Sequence, residues 1–342
     1  MHVAMYYSNQ DIRLEEFPKP QISNDEILMR VEASGICGSD VMEWYRSHKV
    51  PLVLGHEVAG VVEEIGPSVK NFKVRDRIVA THHVPCEECR YCRNGHEAVC
   101  STLRTTNFYP GGFSQYLRLP VINVRKGTFK IPEKISFSEA TFTEPLGCVI
   151  RGQRLAGMNK GKKVLVVGSG MAGLLHIKLA KWNKASMIAA TDIDSFRLKV
   201  AKNCGADTVI LADEDALLKL KEAWNGQLAD LVIICSGSQS AIAQGLRAVD
   251  RGGTALIFTA AKKDETLPLS TNDIFWRTEV TLLSSYAAGP RDLKEALRLI
   301  ARQEITVKEL ITHHLPLRET QKGFQLVCQP KESIKIIIEP QS

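Results

Sequence analysis

The chain has 342 residues, a formal net charge of +6, and 24% charged against 44% hydrophobic residues. That length exceeds one ordinary domain and suits two, and the apolar balance is that of a globular protein. The positive charges form no run of five or six, which argues against a nucleic-acid footprint, and the longest apolar stretches, such as "DLVIICSG", are too short to span a bilayer.

To about residue 148 the sequence reads as short strands with Gly/Pro punctuation: "EILMRVEASGIC", "HEVAGVVEEIG", "DRIVAT" and "FSQYLRLP" are of strand length, and "GPSVKNFKVRD" and "YPGG" are turns. These predict a mostly β, barrel-like domain. The pattern changes at "KKVLVVGSGMAGLLHIKLAKW", where a β-branched strand from Lys163 enters a Gly-rich turn and a helix follows. Strands "ASMIAATD", "DTVILA", "ADLVIICSG" and "GTALIFTA" then alternate with helices such as "SFRLKVAKNCG", "DEDALLKLKEAW" and "SQSAIAQGLRAV". Near-continuous apolar strands between amphipathic helices predict a doubly wound parallel sheet over residues 149–286. The helix "RDLKEALRLIARQEI" and the strand "SIKIIIEP" follow, so residues 287–342 are assigned back to the first domain, 1–148.

Three stretches carry chemistry. The first, "CGSDVMEWYRSHKVPLVLGHE", begins at Cys37 and ends with His56 and Glu57. A catalytic zinc needs about three protein ligands and an open position. Cys37 and His56 supply two, and the third is a carboxylate, either Glu57 or Glu144 in "TEPLGC". Alone, a cysteine and a histidine nineteen residues apart are weak evidence, and a packed thiol with a satisfied imidazole is the more frequent explanation.

The second stretch, "CEECRYCRNGHEAVC", spaces Cys86, Cys89, Cys92 and Cys100 as C-x2-C-x2-C-x7-C. Four thiolates close a tetrahedral shell and leave no place for substrate, so this lobe, about 86–100, is read as a structural zinc site.

The third is "VVGSGMAG", with Gly168, Gly170 and Gly173 in G-x-G-x-x-G spacing and Met171 and Ala172 opening the helix. The glycines permit the tight turn, the backbone approach to a pyrophosphate and close helix–strand packing. Asp192, nineteen residues after Gly173, ends the next strand, where its carboxylate accepts the ribose hydroxyls and repels a 2′-phosphate. NAD is therefore expected over NADP. Arg197, on the following helix, is read as a solvated helix residue, with a role in countering that preference as the second option. Asp194 is the better N-cap for that helix than Asp192.

Taken in order, "GICGSD", "GHEVAGVVEEIG", the four-cysteine lobe, "GGFSQY", "EPLGC" and "VLVVGSGMAG…ATD" resemble the zinc-dependent medium-chain alcohol dehydrogenase family, nearest its sorbitol-type polyol and threonine dehydrogenase branch. The resemblance runs nearly end to end. It implies a GroES-like β-barrel catalytic domain and a Rossmann coenzyme domain, with two zincs per chain. By motif position it makes Cys37 and His56 ligands of the catalytic zinc. Glu57 stands where sorbitol-type members have a direct ligand, Glu144 where other branches have a direct or water-bridged one, and Ser39 where a hydroxyl passes on the substrate proton. It also implies a homotetramer, with a dimer as the alternative. One position departs: Met42 stands where the branch has a histidine that extends the proton path.

The expectation is a zinc- and NAD-dependent oxidation of a secondary alcohol: a polyol, a sugar alcohol or its phosphate, or a 3-hydroxy amino acid. The alternative is a zinc-stabilised NAD(H)-binding sensor without turnover. The only partner expected is the alcohol or ketone substrate, with no nucleic acid and no membrane. Nine cysteines and an opening "MHVAMYYSNQDIRLEEF" without an apolar leader point to the cytoplasm. His82 and His83 are read as loop residues, with a place near substrate as the second option. With Met42 in place of the branch's histidine, the proton path runs from Ser39 through water, the coenzyme ribose or another histidine such as His48, which is read first as an exposed loop residue. Trp182, Trp224 and Trp276, and the remaining cysteines, are read as packing residues.

Overall fold

The computed structural model describes residues 1–213 and 215–342, so Glu214 of the predicted "DEDALLKLKEAW" helix lies outside the described residues. The chain forms two compact units, Met1–Gly147 with Ala287–Ser342, and Cys148–Tyr286.

The first unit is built on a seven-stranded sheet ordered Ile311–Pro316, Lys335–Glu339, Ile27–Gly35, Glu57–Ile65, Arg77–Ala80 and Thr128–Lys130, with Tyr116–Leu119 also paired to Ile27–Gly35. Its inward positions are the apolar residues of those strands: Ile27, Met29, Val31, Val58, Val62, Ile78 and Leu117 are all buried. A smaller sheet pairs His2–Ser8 with Asp11–Glu16 and Leu52–Val53. The strand Lys335–Glu339 docks beside Ile27–Gly35, pairing Ile337 with Gly35 and Ile338 with Ser34. The end of the chain thus reaches the strand that leads to Cys37.

The second unit is a six-stranded sheet in the order Thr208–Leu211, Met187–Asp192, Lys163–Val167, Ala229–Ile234, Val249–Ile257 and Thr281–Ser284. All five pairings are parallel. In sequence rank this is 3-2-1-4-5-6, a doubly wound sheet whose strand order reverses beside Lys163–Val167. Val164 to Val167 and Leu231 to Ile234 are at most 2% exposed, as expected for strands covered on both faces.

Three sequence expectations need correction. The region before residue 148 is not only strands: Thr143–Leu155 is a thirteen-residue helix containing Glu144. Pro145 obscured it, yet proline is tolerated in a first turn, where its missing N–H would have had no helical partner. Trp224 is buried, but Trp276 is 68% exposed and Trp182 38%. The helix before Trp276 is only Thr271–Ile274, too short to form a buried face for it. Cys328, expected to pack, is exposed at the end of the helix Thr320–Cys328. Among the described residues no helix is long and apolar enough to cross a membrane.

Candidate functional site

Sheet pairing assembles the first cluster. Gly35 pairs with Glu57 across adjacent antiparallel strands. Cys37 lies two residues beyond Gly35 and His56 one residue before Glu57, so all three donors converge. The Cys37 Sγ, a ring nitrogen of His56 and a carboxylate oxygen of Glu57 lie within 4.8 Å of one another. The turn after Cys37 is held by Asp40, whose Oδ2 accepts the Cys37 N–H at 3.0 Å and whose own N–H donates to the Cys37 carbonyl at 3.0 Å. Asp40 is fully buried, its Oδ1 3.3 Å from His56 Nδ1 and 3.9 Å from Arg46 Nη2. A carboxylate beside Nδ1 leaves Nε2 as the nitrogen free to coordinate.

The electrostatics favour a cation. Burial opposes charge on Asp40, but His56, Arg46 and the Cys37 amide together hold its carboxyl below the usual range. Burial likewise opposes charge on His56, yet Asp40 and the Cys37 sulfur outweigh it and hold the ring's proton affinity well above ordinary. Those donors retain a positive charge in a buried place.

Glu57 is wholly buried and paired to Lys335, which is 1% exposed. The pair joins Glu57 Oε2 to Lys335 Nζ, and the same ammonium donates to the Ile36 carbonyl at 3.0 Å. Glu57 Oε1 is buried with no hydrogen-bond partner. An orphaned carboxylate oxygen costs free energy unless something electropositive meets it, and this one is carried by the residue whose carboxylate joins a thiol and an imidazole in that group. The donor set therefore fits zinc. Glu144, the other carboxylate candidate, is buried in the first turn of its helix and is not part of that group.

Other predicted residues take definite places. Ser39 donates its N–H toward Cys37 Sγ at 3.5 Å, and its carbonyl accepts from Arg46. His48 is exposed. His82 is in a loop, as read, but its ring centroid lies 4.7 Å from that of His56 and 3.7 Å from that of His83. Burial, then the neighbouring His83, His56 and Arg46, push its proton affinity well below ordinary, so it faces the cluster as a neutral imidazole. Of the two residues beside the cluster, His82 has a place near substrate only as the second option of the sequence reading, and Lys335 has none. "THHVPC" offered only a histidine pair as a signal. Lys335 offered a lysine inside the apolar run "SIKIIIEP", where a cation needs a buried partner.

The lobe gathers all four cysteines within the same 4.8 Å limit. Sulfur separations are 3.6 Å for Cys86–Cys100, 3.6 Å for Cys89–Cys92 and 3.9 Å for Cys86–Cys92. A tetrahedral shell with Zn–S of about 2.3 Å puts sulfurs about 3.8 Å apart, and a disulfide needs about 2.0 Å. The spacing is that of a zinc shell. The N–H groups of Glu88 and Cys89 point to Cys86 Sγ at 3.4 and 3.3 Å and lower that thiol's pKa.

In the second unit the glycine loop follows the Lys163–Val167 strand. Gly168 has φ of +94°, and a Cβ at Gly173 would overlap the Gly168 carbonyl oxygen. The first requires a residue without Cβ for the turn, and the second for the close approach of helix to loop. Asp192 accepts the Ser169 N–H at 2.7 Å and the Asp194 N–H at 3.0 Å, fixing its carboxylate against the loop. Asp194 caps the helix Ser195–Cys204 through Phe196 and Arg197. The Arg197 guanidinium lies within 4.0 Å of a Cβ built on Gly170, so acid and guanidinium both flank the loop. Met171 and Ala172 open the helix Met171–Trp182, whose first N–H groups point at any anion held there.

A buried S/N/O cation pocket, a four-sulfur lobe and a glycine loop on a 3-2-1-4-5-6 sheet define a metal-dependent, dinucleotide-binding oxidoreductase as the class. Residues 23–133 match the family model described as the alcohol dehydrogenase GroES-like domain, and residues 172–302 the one described as zinc-binding dehydrogenase. L-threonine 3-dehydrogenase of Bacillus licheniformis is 34% identical over 92% of this chain and 91% of its own. Sorbitol dehydrogenase of Homo sapiens is 30% identical over 92% and 89%. A crystallised Sinorhizobium meliloti 1021 protein bound to NADP is 27% identical, with a TM-score of 0.87 over 99% of both chains. The chain belongs to the zinc-binding alcohol dehydrogenase family.

Proposed function

We propose that the protein interconverts a secondary alcohol and its ketone with NAD, the alcohol being a polyol, a sugar alcohol or its phosphate, or a 3-hydroxy amino acid. Two zincs per chain are assigned: a catalytic one to Cys37, His56 and Glu57, and a structural one to Cys86, Cys89, Cys92 and Cys100. The observation that carries the proposal is the convergence of the first three donors with Glu57 Oε1 left unpartnered. Glu57 is preferred to Glu144 because Glu144 stands outside that group. The names of the threonine and sorbitol dehydrogenase relatives bring secondary alcohols to this chain.

Bound at these places, zinc supplies the Lewis acidity that makes an alcohol O–H acidic near neutral pH, and the nicotinamide supplies a two-electron acceptor. The chain's residues do the rest. Cys37, His56 and Glu57 would hold that zinc, matching the roughly three protein donors that a catalytic site needs. Asp40 keeps the His56 ring in its coordinating tautomer. Ser39 takes the hydroxyl proton and hands it to solvent, because Met42 cannot carry it onward. His82 bounds the pocket beside His56 with a neutral ring that can hydrogen-bond a neighbouring substrate hydroxyl. The unit Cys148–Tyr286 holds the dinucleotide, with pyrophosphate on Gly168, Gly170, Met171, Ala172 and Gly173 and the ribose hydroxyls on Asp192. The carboxylate favours NAD, and Arg197 makes NADP the weaker second coenzyme. A homotetramer, with a dimer as the alternative, is supported by the family resemblance, and the cytoplasm by the nine cysteines.

The test is metal analysis of purified protein together with coenzyme reduction against a panel of polyols, their phosphates and threonine, using NAD and NADP in turn. Two zincs per chain and NAD-preferring turnover of a secondary alcohol are expected. One zinc and no turnover across the panel would establish the sensor instead.

A further inference from the structure

Lys335 and Glu57 sit on the two strands that flank Ile27–Gly35. Both strands register on Gly35, through Ile337 on one side and Glu57 on the other. Lys335 lies two residues before Ile337, on the same face, so ammonium and carboxylate meet above the glycine. A Cβ on Gly35 would stand 2.7 Å from Lys335 Cε and 2.9 Å from its Nζ, and nearer still to Glu57 Oε2. The glycine makes room for the ion pair. The ammonium is otherwise held by the Ile36 carbonyl and lies 5.8 Å from the centre of the Phe142 ring, with 1% of the residue exposed.

We propose that Lys335 is a positioning residue of the metal centre, a role that rests on Glu57 being a ligand of the catalytic zinc. It occupies Oε2 of Glu57, leaves Oε1 alone to face the cation, and keeps the centre one positive charge richer than its donors would make it. A thiolate and a carboxylate together cancel a divalent ion. With Lys335 in place one positive charge stays uncompensated in a buried setting, which strengthens the pull on an anionic oxygen entering the open position. Occupying Oε2 also bars Glu57 from binding with both oxygens and so protects that open position.

The same charge weakens metal retention. It repels the ion, and it stabilises the metal-free chain by pairing a carboxylate that would otherwise be buried alone. Lys335→Met and Lys335→Gln remove the charge, and Lys335→Arg keeps it. The reading is the zinc dissociation constant of the Cys37 site in the full chain by chelator competition, with the cobalt-substituted absorption spectrum alongside. The two neutral variants are expected to bind zinc at least about tenfold more tightly, with an altered cobalt spectrum, and the arginine variant to stay within about threefold of the natural protein. Unchanged or weaker affinity in the neutral variants would overturn the proposal. A measurement on the unaltered protein stands beside these: a crystal structure with zinc bound should show Glu57 coordinating through one oxygen and Lys335 on the other, and two-oxygen coordination overturns the proposal. If the unaltered protein binds zinc only at its lobe, the catalytic-zinc assignment itself fails; a second zinc with indifferent Lys335 variants sinks only the role of Lys335.

Discussion

Gly35→Ala adds one methyl group, and the structure sets its cost. The new carbon would sit 2.7 Å from Lys335 Cε and 2.9 Å from Nζ, where ordinary contact begins at 3.4 Å, and it would press harder on Glu57. Both partners are buried, so neither can swing into solvent. If the pair survives by shifting, the cost is that of overpacking, about 1–3 kcal/mol. If it breaks, an uncompensated buried charge costs about 3–5 kcal/mol. Against this, alanine relieves about 0.5–1 kcal/mol of glycine's entropy loss in a strand. The net is about 0–2.5 kcal/mol of destabilisation if the pair shifts and about 2–4.5 kcal/mol if it breaks; with both partners buried the break is expected, a fall of roughly 5–10 °C in the melting midpoint of this unit. Zinc should be lost more readily from Cys37, His56 and Glu57 while the four-cysteine lobe keeps its own. Gly38→Ala is the control: nothing lies within 4 Å of its Cβ, so its stability should stay within about 0.5 kcal/mol of the natural protein. Scanning calorimetry with zinc analysis on all three proteins decides the matter. A Gly35→Ala protein that melts like the natural one and holds both zincs would refute the packing argument.

Two further predictions concern the second unit. His176 is buried against Phe258, and burial lowers its pKa from 6.5 to about 3. Because the unfolded chain takes up this proton first, the neutral ring's contribution is complete above pH 6.5 and is lost as pH falls toward 3, about 2 kcal/mol by pH 5. His176→Leu should therefore flatten the acid limb of this unit's stability profile, and an unchanged slope between pH 6.5 and 5 rules the linkage out. Asp192→Asn keeps an acceptor for the Ser169 N–H while removing the charge that disfavours a 2′-phosphate. The NAD-to-NADP ratio of kcat/KM should fall at least about tenfold, and steady-state rates with both coenzymes that keep the original ratio would show that Asp192 does not set the preference.

The features legible in the sequence are those whose chemistry is carried by local spacing. Four cysteines within fifteen residues can reach one ion whatever the rest of the chain does, and their sulfurs do gather within 4.8 Å of one another. The glycine loop and the acid at the end of the next strand are also local, because a strand–turn–helix–strand unit fixes where Asp192 falls relative to Gly168. The preference proposed for Glu57 over Glu144 is not local. It depends on Gly35 pairing with Glu57, a register that single-chain spacing cannot supply. His82 is the same kind of case: its loop follows a strand two places across the sheet from Gly35, and only that pairing brings its ring to His56. Trp276 failed for the opposite reason, since amphipathic spacing was credited to a segment that makes a single helical turn and buries nothing. Lys335 is the furthest from legibility, standing 278 positions from its partner in sequence. A chain with methionine there would carry every motif intact, including all seven proposed zinc ligands, and its metal centre would still differ by a full unit of charge.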